Sequence, residues 1–204
     1  MLWVFGYGSL VWKPPAGSGA SPRQYGYIEG YRRVWHQQST DHRGTPEFPG
    51  TVVTLVAQPG SRVWGVASLL TESDDLAELA RIKADLDHRE KQYDTRLQLD
   101  VLGADGAVIA RECLAYVGTP AGENWAGERP LREIAENIAA ARGPSGPNDA
   151  YLFNLCEAFR TEIGAERAEP ELFELERLVR SIQAAPGRGA PSPLVQSQRR
   201  ILLE

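Results

Sequence analysis

Trp3-Val4-Phe5-Gly6-Tyr7-Gly8-Ser9-Leu10-Val11-Trp12 begins as a short apolar strand, Trp3–Phe5, and runs into a turn containing two glycines. Such a turn lets successive backbone N–H groups point into one concavity, a seat suited to an anionic group. A dinucleotide-binding fingerprint would need a third glycine near position 11 with a helix behind it. Position 11 is Val11, and Lys13-Pro14-Pro15 is expected to stop any helix from following the turn. No Gly-rich loop ends in Lys-Ser or Lys-Thr, which removes a nucleotide-phosphate loop as well. Taken alone, Gly6-Tyr7-Gly8-Ser9 is more often a tight turn than a ligand cradle.

Outward from this turn the first half reads as sheet. Gln24–Trp35, with Tyr25, Tyr27, Tyr31 and Trp35, suggests one or two strands. Gly50–Val56 and Arg62–Leu70 are β-branched runs flanking Gln58-Pro59-Gly60, which predicts a hairpin. A helix is expected from about Asp74, capped by Thr71 or Ser73, with Leu76, Leu79, Ile82 and Leu86 inward. Arg96–Leu102 and Val108–Val117 bracket Gly103-Ala104-Asp105-Gly106, a strong hairpin signal. Pro130 suits the first position of a helix to Arg142 stopped by Gly143. Asp149 can cap a helix to about Ile163, and another follows Pro170. Pro186–Pro193 reads as a tail or linker, so residues 1–185 are expected to form one domain and 186–204 a tail. The order of elements predicts an α+β fold with a mixed or antiparallel, barrel-like sheet.

Composition narrows the function classes. The chain has 204 residues, enough for a substantial core, and 42% of them are hydrophobic. A net charge of −5 argues against nucleic-acid or anionic-membrane partners. No apolar run approaches the roughly 20 residues that span a bilayer. Cys113 and Cys156 each sit in an apolar pattern, which reads as two buried thiols in a reducing compartment and places the chain in the cytosol. The three histidines, His36, His42 and His88, show no metal-ligand spacing, so no metal is expected. Ser9 lacks the Gly-x-Ser-x-Gly elbow of a serine hydrolase.

Glu90 is open to two readings. At about 100° per residue, Leu79, Leu86 and Glu90 share one direction within about 20° if the helix is unbroken. A carboxyl within an apolar stripe has its pKa raised by burial, which makes it a usable base near neutral pH. Alternatively the helix ends at His88, and Glu90 pairs with Arg89, Lys91 or Arg96.

Six blocks in order resemble the ChaC-type glutathione-specific γ-glutamylcyclotransferases, over roughly Trp3 to Arg160. They are Val4–Lys13, Gly26–Arg33, Ser39-Thr40-Asp41-His42-Arg43-Gly44-Thr45-Pro46, Val63–Ala67, Leu86-Asp87-His88-Arg89-Glu90-Lys91 and Gly143–Leu152. The family often carries a glycine pair before the tyrosine that follows the Arg-Glu-Lys block. Here Lys91-Gln92-Tyr93 is shorter and lacks it. The stretch beyond about Ala168 falls outside the shared core.

The resemblance implies a γ-glutamylcyclotransferase-like fold, a mixed β-barrel-like sheet with surrounding helices. It implies that Gly6, Tyr7, Gly8, Ser9, Leu10 and Val11 hold a γ-glutamyl group and that Glu90 is the general acid/base. The implied substrate is glutathione, cleaved without a cofactor to 5-oxoproline and Cys-Gly by attack of its own α-amine. Arg43 is a candidate partner for the glycine carboxylate, or else it holds a loop by pairing with Asp41. Alternatives are the same cyclisation on other γ-glutamyl peptides or amines, an amidohydrolase releasing glutamate, and a γ-glutamyl-binding module without turnover.

Overall fold

The computed structural model describes residues 1–15 and 22–185. The expected tail, 186–204, and most of the Gly17–Pro22 loop lie outside the described residues.

Five strands close into a barrel in the order β1-β3-β2-β4-β5. They are β1 (Leu2–Gly6), β2 (Arg23–Ser39), β3 (Gly50–Thr71), β4 (Thr95–Leu102) and β5 (Val108–Val117). All neighbours are antiparallel except β1 and β5, whose parallel pairing at Val4 and Leu114 closes the ring. The sheet is therefore mixed, as the element order suggested.

β2 and β3 are single long strands, and they correct the expected Gln58-Pro59-Gly60 hairpin. Gly50–Val56 and Arg62–Leu70 belong to the same strand, which pairs with β2 on both sides of Gln58-Pro59-Gly60, from Ser39↔Gly50 to Arg23↔Ser68. Between Arg62↔Glu29 and Ala57↔Tyr31 the ladder is interrupted, so the Pro-Gly segment faces Gly30 as a bulge. Gly30 and Gly60 take φ values of 82° and 81°, the left-handed region that glycine adopts freely. The reversal between β2 and β3 falls instead at residues 40–49. The hairpin around Gly103–Gly106 forms as expected, with Gly106 at φ 82°.

The helices are α1 (Leu76–Arg89), α2 (Leu131–Ala140), α3 (Asn148–Ala158) and α4 (Pro170–Ala184). Asp75, and neither Thr71 nor Ser73, caps α1, accepting a bond from the Ala77 N–H at 2.9 Å. α2 ends at Ala140, short of the expected Arg142, because Arg142-Gly143 pairs with Gly146-Pro147 in a two-stranded ribbon, β6 and β7. α3 begins one residue before Asp149, which lies in its first turn, and it ends in a π-helical turn, Phe159–Ile163. Ile134 and Ile138 of α2, Leu152 and Leu155 of α3, and Leu172 and Leu175 of α4 pack with Phe5, Val53 and Val66 of the barrel in one apolar cluster. Each such buried side chain stabilises the fold by about 1.5–3 kcal/mol.

α1 is the exception. Leu76 is 80% exposed, and of the expected inward row only Leu86 is buried, against Leu114 and Tyr116 of β5. The helix is thus anchored at its C-terminal end, which fixes the position of Glu90. Cys113 and Cys156 are buried free thiols, and burial pushes both up to about 12.

Candidate active site

β1 delivers the chain to Gly6, where it leaves the sheet. Tyr7-Gly8 turns it into one 3₁₀ turn, Ser9–Val11, closed by bonds from the Val11 N–H to Gly8 O (3.0 Å) and from the Lys13 N–H to Ser9 O (2.8 Å). The expectation of no helix here is corrected to this single turn, which stops before Pro14. Glycine at position 8 is required by close approach: a Cβ there would sit 2.6 Å from Tyr151 Oη and 3.1 Å from Val53 Cγ2. The first N–H groups of a helical turn have no partner within it, which leaves them available to a ligand.

Glu90 is the C-cap of α1. Its N–H bonds Leu86 O at 2.8 Å, and its carbonyl accepts the Tyr93 N–H at 2.9 Å. The pairing reading holds for Arg89, and the carboxyl is sequestered all the same. The helix ends at Arg89, and Arg89 Nε lies 3.0 Å from Glu90 Oε1, yet the Glu90 side chain is only 12% exposed. Glu90 Oε1 is buried without a properly angled hydrogen bond. Lys91 turns away to Asp41 at 3.1 Å and Arg96 to Asp87 at 2.8 Å.

Burial raises the Glu90 pKa. Arg89 opposes the rise and Asp41 adds to it. The negative end of α1, which Glu90 caps, acts in the same direction as burial. Because the folded value lies above the ordinary 4.5, ionising Glu90 costs the folded state stability. The Glu90 contribution is intact below the ordinary value and is lost as pH rises through the raised one. Glutamine cannot ionise, so Glu90→Gln should melt at least as high as the wild type near pH 8, the difference closing toward pH 4. Calorimetric Tm values at both pH values check this, and a variant clearly less stable near pH 8 would contradict it.

Arg89 also clamps the helix end to the turn. Its Nη2 donates to Lys13 O at 2.9 Å and reaches Ser9 Oγ at 3.4 Å, while Nη1 donates to Pro14 O at 3.3 Å. Glu90 consequently faces two adjoining hollows. The smaller is bounded by Tyr7, Gly8, Ser9, Leu10 and Tyr116. The larger, about 180 Å³, is bounded by Ser9, Ser39, Arg43, Gln92, Ser145 and Tyr151 among others. Glu90, Ser9 and Tyr93 belong to both walls.

Of the six expected γ-glutamyl-binding residues, Tyr7, Gly8, Ser9 and Leu10 line the small hollow. Gly6 and Val11 stand behind it. Gly6 is in close contact with Leu10, and Val11 is fully buried in the core. Three phenols surround the carboxylate. Tyr7 donates to Tyr116 O at 2.5 Å, Tyr93 donates to Val53 O at 3.0 Å, and Tyr151 Oη accepts the Val53 N–H at 3.5 Å. Burial raises the pKa of all three, so they stay protonated beside Glu90.

Arg43 forms the far wall. Its own N–H bonds Ser39 Oγ at 3.0 Å, and Nη1 donates to Pro147 O at 3.1 Å in β7. Among the described residues no carboxylate pairs with it. Asp41 goes instead to Lys91 and stands 3.8 Å from His42 Nε2. The alternative in which Arg43 pairs with Asp41 is therefore corrected. Desolvation lowers the Arg43 pKa, and Tyr151 and Asp149 offset it only in part. Among the described residues no group of three or more His, Cys, Asp or Glu side chains is placed to hold a metal.

Ser39, Gln92, Ser145, Tyr151 and the clamp role of Arg89 were not singled out from sequence. The available signal was that Ser39, Arg89, Ser145 and Tyr151 fall inside the quoted blocks, beside the candidates.

A family model described as "ChaC-like protein" matches residues 2–182. The chain belongs to the ChaC-like family. The match runs past Ala168 and takes in most of α4, so the shared core is longer than the motif blocks indicated. Gamma-glutamylcyclotransferase 2-3 of Arabidopsis thaliana is 45% identical over 162 residues, covering 77% of this chain and 79% of its own. Glutathione-specific gamma-glutamylcyclotransferase 1 of Danio rerio is 36% identical over 176 residues, covering 86% and 87%. A crystal structure of a yeast γ-glutamyl cyclotransferase specific to glutathione superposes with a TM-score of 0.77 at 25% identity, covering 88% of this ChaC-like chain and 96% of the yeast one. The γ-glutamylcyclotransferase-like α+β fold expected from sequence is the fold observed. No described helix is long and apolar enough to cross a membrane.

Proposed function

We propose that the protein is a glutathione-specific γ-glutamylcyclotransferase. The observation that carries this is Glu90, a buried carboxylate where the glycine-turn hollow meets the cleft walled by Arg43. Relatives named for this activity support the substrate.

The N–H groups of the Tyr7–Leu10 turn hold the substrate α-carboxylate, with the γ-glutamyl arm bent in the small hollow. The Glu90 carboxylate takes a proton from the α-ammonium, and the freed amine attacks the δ-carbonyl. The new C–N bond closes a five-membered ring, the C–N bond to cysteine breaks, and Glu90 returns a proton to the departing nitrogen. Two protons leave the attacking nitrogen in all and two reach the leaving one, so no net acid or base is consumed. Holding the ends together contributes several kcal/mol, because the nucleophile is intramolecular. A carboxyl whose pKa is raised toward neutrality can perform both transfers. The tyrosine hydroxyls, kept neutral, exclude water while leaving polar edges beside the reacting atoms. Hydrolysis to glutamate is disfavoured for the same reason, and a pure binding module gives no account of a sequestered proton carrier.

Incubation with glutathione followed by mass spectrometry should show 5-oxoproline and Cys-Gly. Free glutamate would indicate an amidohydrolase, and unchanged glutathione a binding module. Arg43 takes the glycine carboxylate, its half-buried unpaired guanidinium being matched to that charge. In the same assay Arg43→Ala should lose roughly ten-fold or more in kcat/KM for glutathione. It should lose little for a γ-glutamyl amide lacking that carboxylate, and equal losses on both substrates would refute the role.

A further inference from the structure

A second cavity, of about 280 Å³, shares no residue with the two hollows at Glu90. Its walls come from β2 between Arg32 and His36, from Glu128-Arg129-Pro130, from the first turns of α2, and from Glu171 of α4. Three nitrogen atoms of wall residues, Arg32 Nε, Arg129 Nε and His36 Nδ1, are buried without a hydrogen-bond partner among the described residues. The remaining contacts do not supply one. Arg129 Nη2 donates to Thr51 Oγ1 at 2.8 Å, and Arg32 Nη1 is 3.8 Å from Glu171 Oε1, beyond hydrogen-bond reach. The His36 ring meets Trp125 edge-on at 5.4 Å between centroids. The N-terminus of α2, a ten-residue helix capped by Pro130 without a side-chain acceptor, adds positive potential to the same wall.

A buried donor with no acceptor costs about 1–3 kcal/mol, and more when it is charged. Two guanidinium groups whose Nε donors lack an acceptor, with the His36 imidazole beside them, line one cavity and define a site for an oxygen acceptor with negative charge. The carboxylates are at the rim: Glu128 is exposed and the Glu171 side chain is 53% exposed. They repel a polyanion such as nucleic acid and leave the interior to a small one. We propose that this cavity is a second ligand site, which takes the oxyanion group of a small metabolite, a carboxylate or a phosphate, on Arg32, Arg129 and His36. Burial and the two arginines lower the His36 pKa, so its ring enters the site neutral near pH 7 and gains basicity when an anion arrives. Arg32, Arg129, Glu128 and Glu171 are the charged groups facing it.

The test is histidine-selective NMR of the full chain titrated with inorganic phosphate and, separately, with acetate, at constant ionic strength. His36 is the histidine of this cavity, whereas His42 lines the cleft at Glu90 and reports anions bound there. The expected result is a saturable shift of His36 with a rise in its pKa, for phosphate, acetate or both. The responding anion identifies the oxyanion class. Arg129→Gln and Arg32→Gln should each weaken the apparent affinity roughly ten-fold or more. Unchanged His42 and His88 resonances would show that both variants fold. A non-saturating His36 shift, a response confined to His42, or full affinity in both folded variants would overturn the proposal.

Discussion

Glu90→Gln should reduce glutathione turnover by about 10²–10⁴ while leaving the fold intact, because it removes the only group assigned to proton transfer. Glutamine keeps the size and the polar contact of the side chain, so α1 should still cap at position 90 and Arg89 should still reach Lys13 O and Pro14 O. The loss should fall on kcat, since the γ-glutamyl group is held by the turn and the glycine carboxylate by Arg43, neither of them by Glu90. Steady-state assays with circular dichroism of the same preparation check this. A variant with near wild-type kcat would remove Glu90 from the mechanism, and a raised KM beside that unchanged kcat would recast it as a binding group.

The second large effect is expected at Gly44. A Cβ at this position would lie 2.6 Å from both Phe48 O and Pro49 C, and closer still to Gly50 N. All three are backbone atoms of the tight loop between β2 and β3, so no side-chain rotation relieves the overlap. The ribbon of β6 and β7 packs on the same loop, where a Cβ on Gly143 would meet Gly44 O at 2.6 Å. Overpacking of this kind costs about 1–3 kcal/mol, and more where only backbone can move. Gly44→Ala should therefore lower Tm by several degrees. It should lower kcat/KM as well, because displacing the loop moves Arg43 from Ser39 Oγ and Pro147 O. An unchanged Tm with full activity would mean that the loop yields more readily than its packing indicates.

What could be read from sequence depended on whether the determinant was local. The Gly103–Gly106 hairpin was legible because its turn chemistry is contained in four residues. Gln58-Pro59-Gly60 was misread for a related reason. A hairpin turn and a bulge use the same residue types, and only the pairing of Ala57 with Tyr31 and Arg62 with Glu29 distinguishes them. α2 was extended too far because the signal that ends it, pairing of Arg142 with Pro147, joins residues across a turn.

The site shows the same division. Glu90 and the glycine turn were legible, the former through its place beside Leu86, the latter through its glycines. An unbroken helix with Leu79, Leu86 and Glu90 on one apolar stripe does not account for the burial of Glu90, since the helix ends at Arg89 and Leu79 is only half-buried. The carboxyl is enclosed because Arg89 ties the helix end to Lys13 and Pro14, a contact between segments about 75 residues apart. The opposite wall, Ser39, Ser145 and Tyr151, assembles from β2, the ribbon turn and α3. No periodicity within one element brings those side chains together.

The most direct measurement is the pH dependence of kcat/KM for glutathione, in the wild type and in Glu90→Gln. With Glu90 as the base, the wild-type rate should fall on acidification with an apparent pKa above the ordinary 4.5 of a glutamate, and the residual rate of the variant should lack that limb. A wild-type rate that stays flat down through the ordinary value, or the same acidic limb in Glu90→Gln, would contradict a buried carboxyl as the proton carrier.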